Sequence, residues 1–187
     1  MTTVEQLKVQ RKRLMTLSRA YRAQMFGSAP GAAPAGFHAL QCLDEARMWL
    51  GKLIWSMDRD MLENPIDAYA ESTNPENAKI EPTVDAPTYD EVNAVIEKTI
   101  NLNDPIKSIK WIRKELDQIY TTIDRLSMND DFKDWLEENA EIDDETIDYP
   151  LGYISLLQIR VTLVTSKMWF GAMLENIQSK RPEEDVN

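Results

Sequence analysis

Arg47-Met48-Trp49-Leu50-Gly51 returns 120 positions later as Lys167-Met168-Trp169-Phe170-Gly171. The likeness runs outward at the same offset: Leu43 matches Leu163, Leu53 matches Met173, Ile54 matches Leu174 and Met57 matches Ile177. Each copy reads as a helix with a basic residue, a Met-Trp pair and a small glycine at fixed places. A recurring segment bears on architecture before any local reading does, because each repeat is one packing unit. Two related helical units are predicted in this chain of 187 residues.

Upstream of the first copy, Leu7, Leu14, Leu17, Tyr21 and Met25 recur at helical steps and predict a helix over 3–26. The Gly-, Pro- and Ala-rich run 27–36 reads as a breaker loop. A second helix is expected over 36–63, stopped by Asn64-Pro65. Residues 1–64 thus form a first antiparallel hairpin, and 65–87, with Pro65, Pro75, Pro82 and Pro87, an extended linker. A second helical region spans 88–180. Thr88 with Glu91 fits a capping box that opens a helix over 88–101, and Asp104-Pro105 starts another over 105–128. The seam Ile106, Ile109, Ile112, Leu116, Ile119, Ile123, Leu126 marks that helix as one packed along another. An acidic insert, 129–149, has room for one short helix through Phe132, Trp135 and Leu136. The last helix, 151–180, is apolar nearly all round, which predicts a central place in the bundle or in a subunit interface. Residues 181–187 are a polar tail. The fold class expected is all-α: a helical bundle of two tandem antiparallel hairpins, oligomeric.

Apolar residues make up 43% and charged residues 28%, a soluble globular balance. No apolar run approaches the ~18 residues of a membrane span. The polar, basic N-terminal stretch has no signal-peptide core. The single cysteine, Cys42, forbids an internal disulfide, and a cytoplasmic setting is expected. The net charge is −11 and uneven. Residues 1–27 carry Lys8, Arg11, Lys12, Arg13, Arg19 and Arg22 against Glu5, whereas 129–149 hold ten acids against Lys133. Such a surface repels duplex nucleic acid but permits a small anion in a local basic pocket.

Most catalytic signatures are missing. There is no Gly-rich phosphate loop and no nucleophile elbow. The one histidine, His38, stands four residues from Cys42, and two ligands do not make a structural zinc site. Glu138-x-x-Glu141 and Glu141-x-x-Asp144 invite a metal-dependent nucleotide hydrolase, but they share a residue and fall in one insert. A solvated acidic surface is the better reading. No catalytic residue, metal or cofactor is expected.

The candidate ligand-binding residues are Arg19, Tyr21 and Arg22 on the first helix, Arg47, Trp49 and Lys52 on the second, and Arg160, Lys167 and Trp169 on the last. Arginine forks to phosphate, and Tyr or Trp stacks on a base. A tryptophan at helical spacing is more often core than ligand platform. Arg160 and Lys167 are seven apart on an apolar helix, so they need partners or a ligand.

Leu40-Gln41-Cys42-Leu43-Asp44-Glu45-Ala46-Arg47-Met48-Trp49-Leu50-Gly51-Lys52 resembles the second helix of the phage anti-CBASS and anti-Thoeris hairpin family. The resemblance covers about residues 7–60 and extends weakly over 105–178. It implies a protein that is not an enzyme: a homo-oligomeric helical sponge that binds a cyclic nucleotide or cyclic ADP-ribose-type immune signal intact, between basic and aromatic side chains. It also implies the cytoplasm of an infected bacterium as the place of action. This chain is about twice as long as one such hairpin, and its second copy has Val164-Thr165 in place of Asp44-Glu45. A second expectation stands beside it: a structural or adaptor bundle acting through protein contacts on the isoleucine seam, the last helix or the acidic insert.

Overall fold

The computed structural model describes residues 1–25, 33–57, 87–101, 104–139, 141–142, 147–148 and 151–179. The expected linker up to position 86, the end of the second helix beyond 57 and the tail 181–187 lie outside the described residues. What is described is helical apart from one two-residue ladder. The elements are α1 (Thr3–Met25), α2 (Ala33–Met57), α3 (Tyr89–Asn101), α4 (Pro105–Leu126), α5 (Asp130–Asn139), β1 (Glu141–Ile142), β2 (Ile147–Asp148) and α6 (Leu151–Gln178). The β1–β2 pair is antiparallel, with Glu141 opposite Asp148.

Local chemistry sets the helix starts. Thr88 and Glu91 exchange bonds, Thr88 N–H to Glu91 Oε2 at 2.8 Å and Glu91 N–H to Thr88 Oγ1 at 3.3 Å. Asp104 caps α4 by accepting from the Ile106 N–H at 2.8 Å, with Pro105 in the first turn. Thr2 and Glu5 form a further capping box on α1. The second helix begins earlier than the composition predicts. Ala33-Pro34-Ala35-Gly36, read as loop, is the first turn of α2. Pro34 has no N–H to lose there, and its fixed φ suits a helix start.

Four long helices pack in a ring, each antiparallel to both neighbours. The α1–α2 contact runs from Arg11 at Gly51 to Tyr21 at Gly36. The α4–α6 contact runs from Arg113 at Gly171 to Asp124 at Arg160. Arg13 reaches Glu115 between α1 and α4. The most extensive contact is α2 with α6, the two helices that carry the repeated pentapeptide. There the buried Ser166 donates from Oγ to the Ala39 carbonyl at 3.0 Å, and Gly152 meets Ser56 at the other end. That register sets Leu43 near Leu163, and both are buried. Helix α3 lies outside, held to α1 by Lys12–Glu91 at 2.8 Å. Helix α5 covers one end of the bundle, with Phe132 and Trp135 buried and Trp135 Nε1 donating to the Ser56 carbonyl at 3.2 Å.

The interior is aliphatic: Leu7, Leu14, Leu43, Leu50, Leu116, Ile119, Leu156 and Leu163 are all fully buried, with Phe170 among them. Each such side chain contributes about 1.5–3 kcal/mol. All seven residues of the Ile106–Leu126 seam are buried. Of the two places expected for the last helix, the centre of the bundle is not the one it takes. Helices α2 and α4 cover two of its sides, and Ile154, Leu157, Val161, Val164 and Met168 are 41–65% exposed.

Candidate functional site

Two adjoining cavities lie along the groove between α1 and α2. One, of about 440 Å³, is bounded by Arg22, Phe37, Leu40, Gln41, Asp44, Glu45, Arg47 and Met48. The other, of about 330 Å³, is bounded by Met15, Ser18, Arg19, Arg22, Asp44 and Arg47. They share Arg22, Asp44 and Arg47. Both volumes fall in the range of small-ligand sites. Helical spacing accounts for the lining: Phe37, Gln41, Asp44 and Met48 follow steps of four, three and four along α2.

The groove is polarised. Asp44 accepts from Arg22 at 2.6 Å and from Ser18 Oγ at 2.8 Å. Arg19 donates to the Pro87 carbonyl at 3.3 Å. Among the described residues Arg47 has no hydrogen-bond or ion-pair partner, and its Nε is buried. The smaller cavity thus sets three guanidinium groups against one carboxylate. The larger has an apolar wall instead, with Phe37 at 62% and Met48 at 45% exposure. Exposed apolar side chains beside arginines suit a ligand with a flat apolar part and a negative part.

Of the nine candidates from the sequence, Arg19, Arg22 and Arg47 are brought together. The others are elsewhere. Tyr21 is buried in the core, edge-on to Phe170 at 5.1 Å, and its hydroxyl donates to Met173 Sδ at 3.2 Å. Burial pushes its phenol pKa from 10.0 to about 12. Lys52 Nζ sits 4.0 Å above the half-buried Trp49 ring, and neither residue lines the groove. Trp169 stacks on His38 at 4.7 Å, the ring planes 29° apart. Arg160 donates to Asp124 at 2.6 Å and to Ser127 at 3.0 Å, and Lys167 pairs with Asp117. Phe37, Gln41 and Met48 were missed. Their spacing from Asp44 becomes a signal only once Asp44 is known to face Arg22.

A further cavity of about 630 Å³ near the start of α1 is bounded by Glu5, Asp131, Asp134 and Glu138 against Lys8. Its charge disfavours an anion. Among the described residues no group of three or more His, Cys, Asp or Glu could hold a metal ion. Asp144 of the hydrolase reading lies outside the described residues, as does the side chain of Glu141. Burial, followed by the charge of Glu45, raises the Cys42 thiol pKa, which disfavours the nucleophilic thiolate. Among the described residues no helix is long and apolar enough to cross a membrane. No protein-family model, curated protein or solved structure matches the chain.

Proposed function

We propose that this protein is a sponge: it binds a cyclic nucleotide or cyclic ADP-ribose-type signal in the α1–α2 groove and holds it without cleaving it. The observation that carries the reading is Arg47, a cation with a buried Nε and no partner among the described residues, beside Arg19 and Arg22. Only the Nε of Arg47 is buried, and the half-exposed side chain keeps a guanidinium fork open to a phosphate. Phosphate oxygens take the Arg19–Arg22–Arg47 side, and the base lies against Phe37 and Met48. The two tandem hairpins of the sequence reading are then α1–α2 and α4–α6. Binding without chemistry needs no base, nucleophile or metal.

The test is a thermal-shift panel of cyclic dinucleotides, cyclic trinucleotides and cyclic ADP-ribose isomers, followed by heat release and chromatography of the ligand. At 100 times its dissociation constant a ligand stabilises the fold by about 2.7 kcal/mol. The expected result is a shift with one ligand class, lost in Arg47→Ala, with the ligand returned intact. No shift across the panel, or recovery of a cleaved product, refutes the sponge.

A second reading rests on α6. Ile154, Leu157, Val161, Val164 and Met168 form an exposed apolar stripe at steps of three and four. Such a stripe suits helix-on-helix docking. It supports a homo-oligomer alongside the sponge, or an adaptor in its place. An adaptor gives no shift with any nucleotide.

A further inference from the structure

We infer that the chain carries one oxyanion site, on α1–α2, and that the corresponding groove of α4–α6 is closed from within by Asp117 and Asp124. This deepens the reading of the α1–α2 groove as a ligand site and rests on it. The argument begins with two glycines. Gly51 and Gly171 are repeat equivalents, and each is overlaid by an arginine of the neighbouring helix. A Cβ built on Gly51 would lie 3.2–3.5 Å from the Arg11 guanidine group, and one on Gly171 would lie 3.8–3.9 Å from that of Arg113. Arg11 therefore corresponds to Arg113, and this sets the register of α1 on α4. The register has an independent check. It matches Leu7 to Ile109, Leu14 to Leu116, Leu17 to Ile119 and Tyr21 to Ile123, and all eight are buried.

In the same register the groove residues change sign. Arg22 corresponds to Asp124, Arg19 to Thr121 and Met15 to Asp117. On the facing helices Arg47 corresponds to Lys167 and Leu40 to Arg160, and Asp44 gives way to Val164. The α1–α2 groove presents Arg19, Arg22 and Arg47 against Asp44. The α4–α6 groove presents Arg160 and Lys167, each already bonded to a carboxylate, and Arg113, which lies over Gly171 as Arg11 lies over Gly51. An incoming phosphate would have to displace Asp117 and Asp124, which are tethered in place and so act at high effective concentration. It would also meet their like charge. Arg47 presents no such competitor among the described residues.

The assignment is tested on the full chain by equilibrium dialysis against inorganic pyrophosphate, with ³¹P NMR as a second readout. One equivalent bound per chain is expected, weakened at least tenfold by Arg47→Ala. Asp117→Asn/Asp124→Asn, which keeps side-chain shape, is expected to bind a second equivalent. Should the double variant not fold, Asp117→Asn alone is the substitute, because that side chain is 55% exposed, and weaker second-site binding is then expected. Two equivalents on the native chain, none, or one insensitive to Arg47→Ala overturns the single site. Absence of a second equivalent in the folded acid-removed variant overturns the role of the two aspartates. Pyrophosphate binding with no response to any cyclic nucleotide refutes the sponge and leaves this assignment standing.

Discussion

Gly36 can be replaced by alanine without loss of stability only if Tyr21 gives up its hydroxyl. A Cβ at position 36 would lie 2.3 Å from the Tyr21 oxygen, whereas the next atoms, Tyr21 Cζ and Met173 Sδ, are each 3.5 Å away, an ordinary contact. The hydroxyl has little room to yield, because the ring is buried against Phe170 and the oxygen is bonded to Met173. Overpacking of this kind costs about 1–3 kcal/mol. Alanine returns up to about 1 kcal/mol of helix propensity over glycine, less in a first turn. Gly36→Ala alone is therefore expected to destabilise by about 1 kcal/mol. In Tyr21→Phe the obstructing atom is absent, and the same substitution should stabilise by a few tenths to about 1 kcal/mol. Tyr21→Phe by itself loses only a hydrogen bond to a weak sulfur acceptor, a change on the order of 1 kcal/mol or less. The assay is urea unfolding of the four chains at constant m, with the coupling taken from the double-mutant cycle. A coupling of about 1–3 kcal/mol is expected. If Gly36→Ala has the same effect in both backgrounds, within about 0.5 kcal/mol, the packing argument at the start of α2 is wrong.

Gly152→Ala meets a harder wall, with its Cβ 2.6 Å from Trp135 and 2.8 Å from Ser56 Oγ. A loss of about 1–3 kcal/mol in urea unfolding is expected, and a neutral result would mean that α5 does not sit on the start of α6. Glu91 predicts an acid effect. Its hydrogen bond to Lys12, followed by that from the Thr88 backbone, holds its carboxyl below the ordinary 4.5. A depressed folded-state pKa gives stability that is present above 4.5 and is lost as the pH falls through the lower folded value. The melting temperatures of the native chain and Glu91→Gln should therefore differ at neutral pH and converge in acid. Curves that stay parallel would remove Glu91 as an anchor of α3.

The legible parts of the fold were those whose physics is local. The capping box at Thr88 and the Asp104-Pro105 start need only neighbouring atoms. The Ile106–Leu126 seam reports burial through its own spacing. Tertiary neighbours decided the rest. The last helix reads as apolar nearly all round, for the bundle centre or a subunit interface, and in this ring it has helices on two sides and an exposed apolar stripe on another. Among the candidate residues, the arginines of α1 and α2 converge as their pairing on facing helices suggests. Trp49 does not join them, because two residues beyond Arg47 is about 200° around a helix. Lys52 follows Trp49 and sits over its ring. Tyr21 lies between Arg19 and Arg22 in the sequence and still points into the core. The partners of Arg160 and Lys167 are on α4 and could not be read from α6 alone.

The antiparallel contact of α2 with α6 has a consequence for how quickly the chain folds. Ser166 and Ala39, bonded across it, are 127 residues apart. Closing a loop of that length costs about 2 kcal/mol more than closing one of ten residues. Contacts of such separation slow folding relative to local ones. Helices α1 and α2, and likewise α4 and α6, are nearer in sequence and meet first at lower entropic cost. The broadest interface in the molecule is thus one of long sequence separation, and Ser166→Ala, which removes the hydroxyl bonded to the Ala39 carbonyl, tests its closure in refolding kinetics.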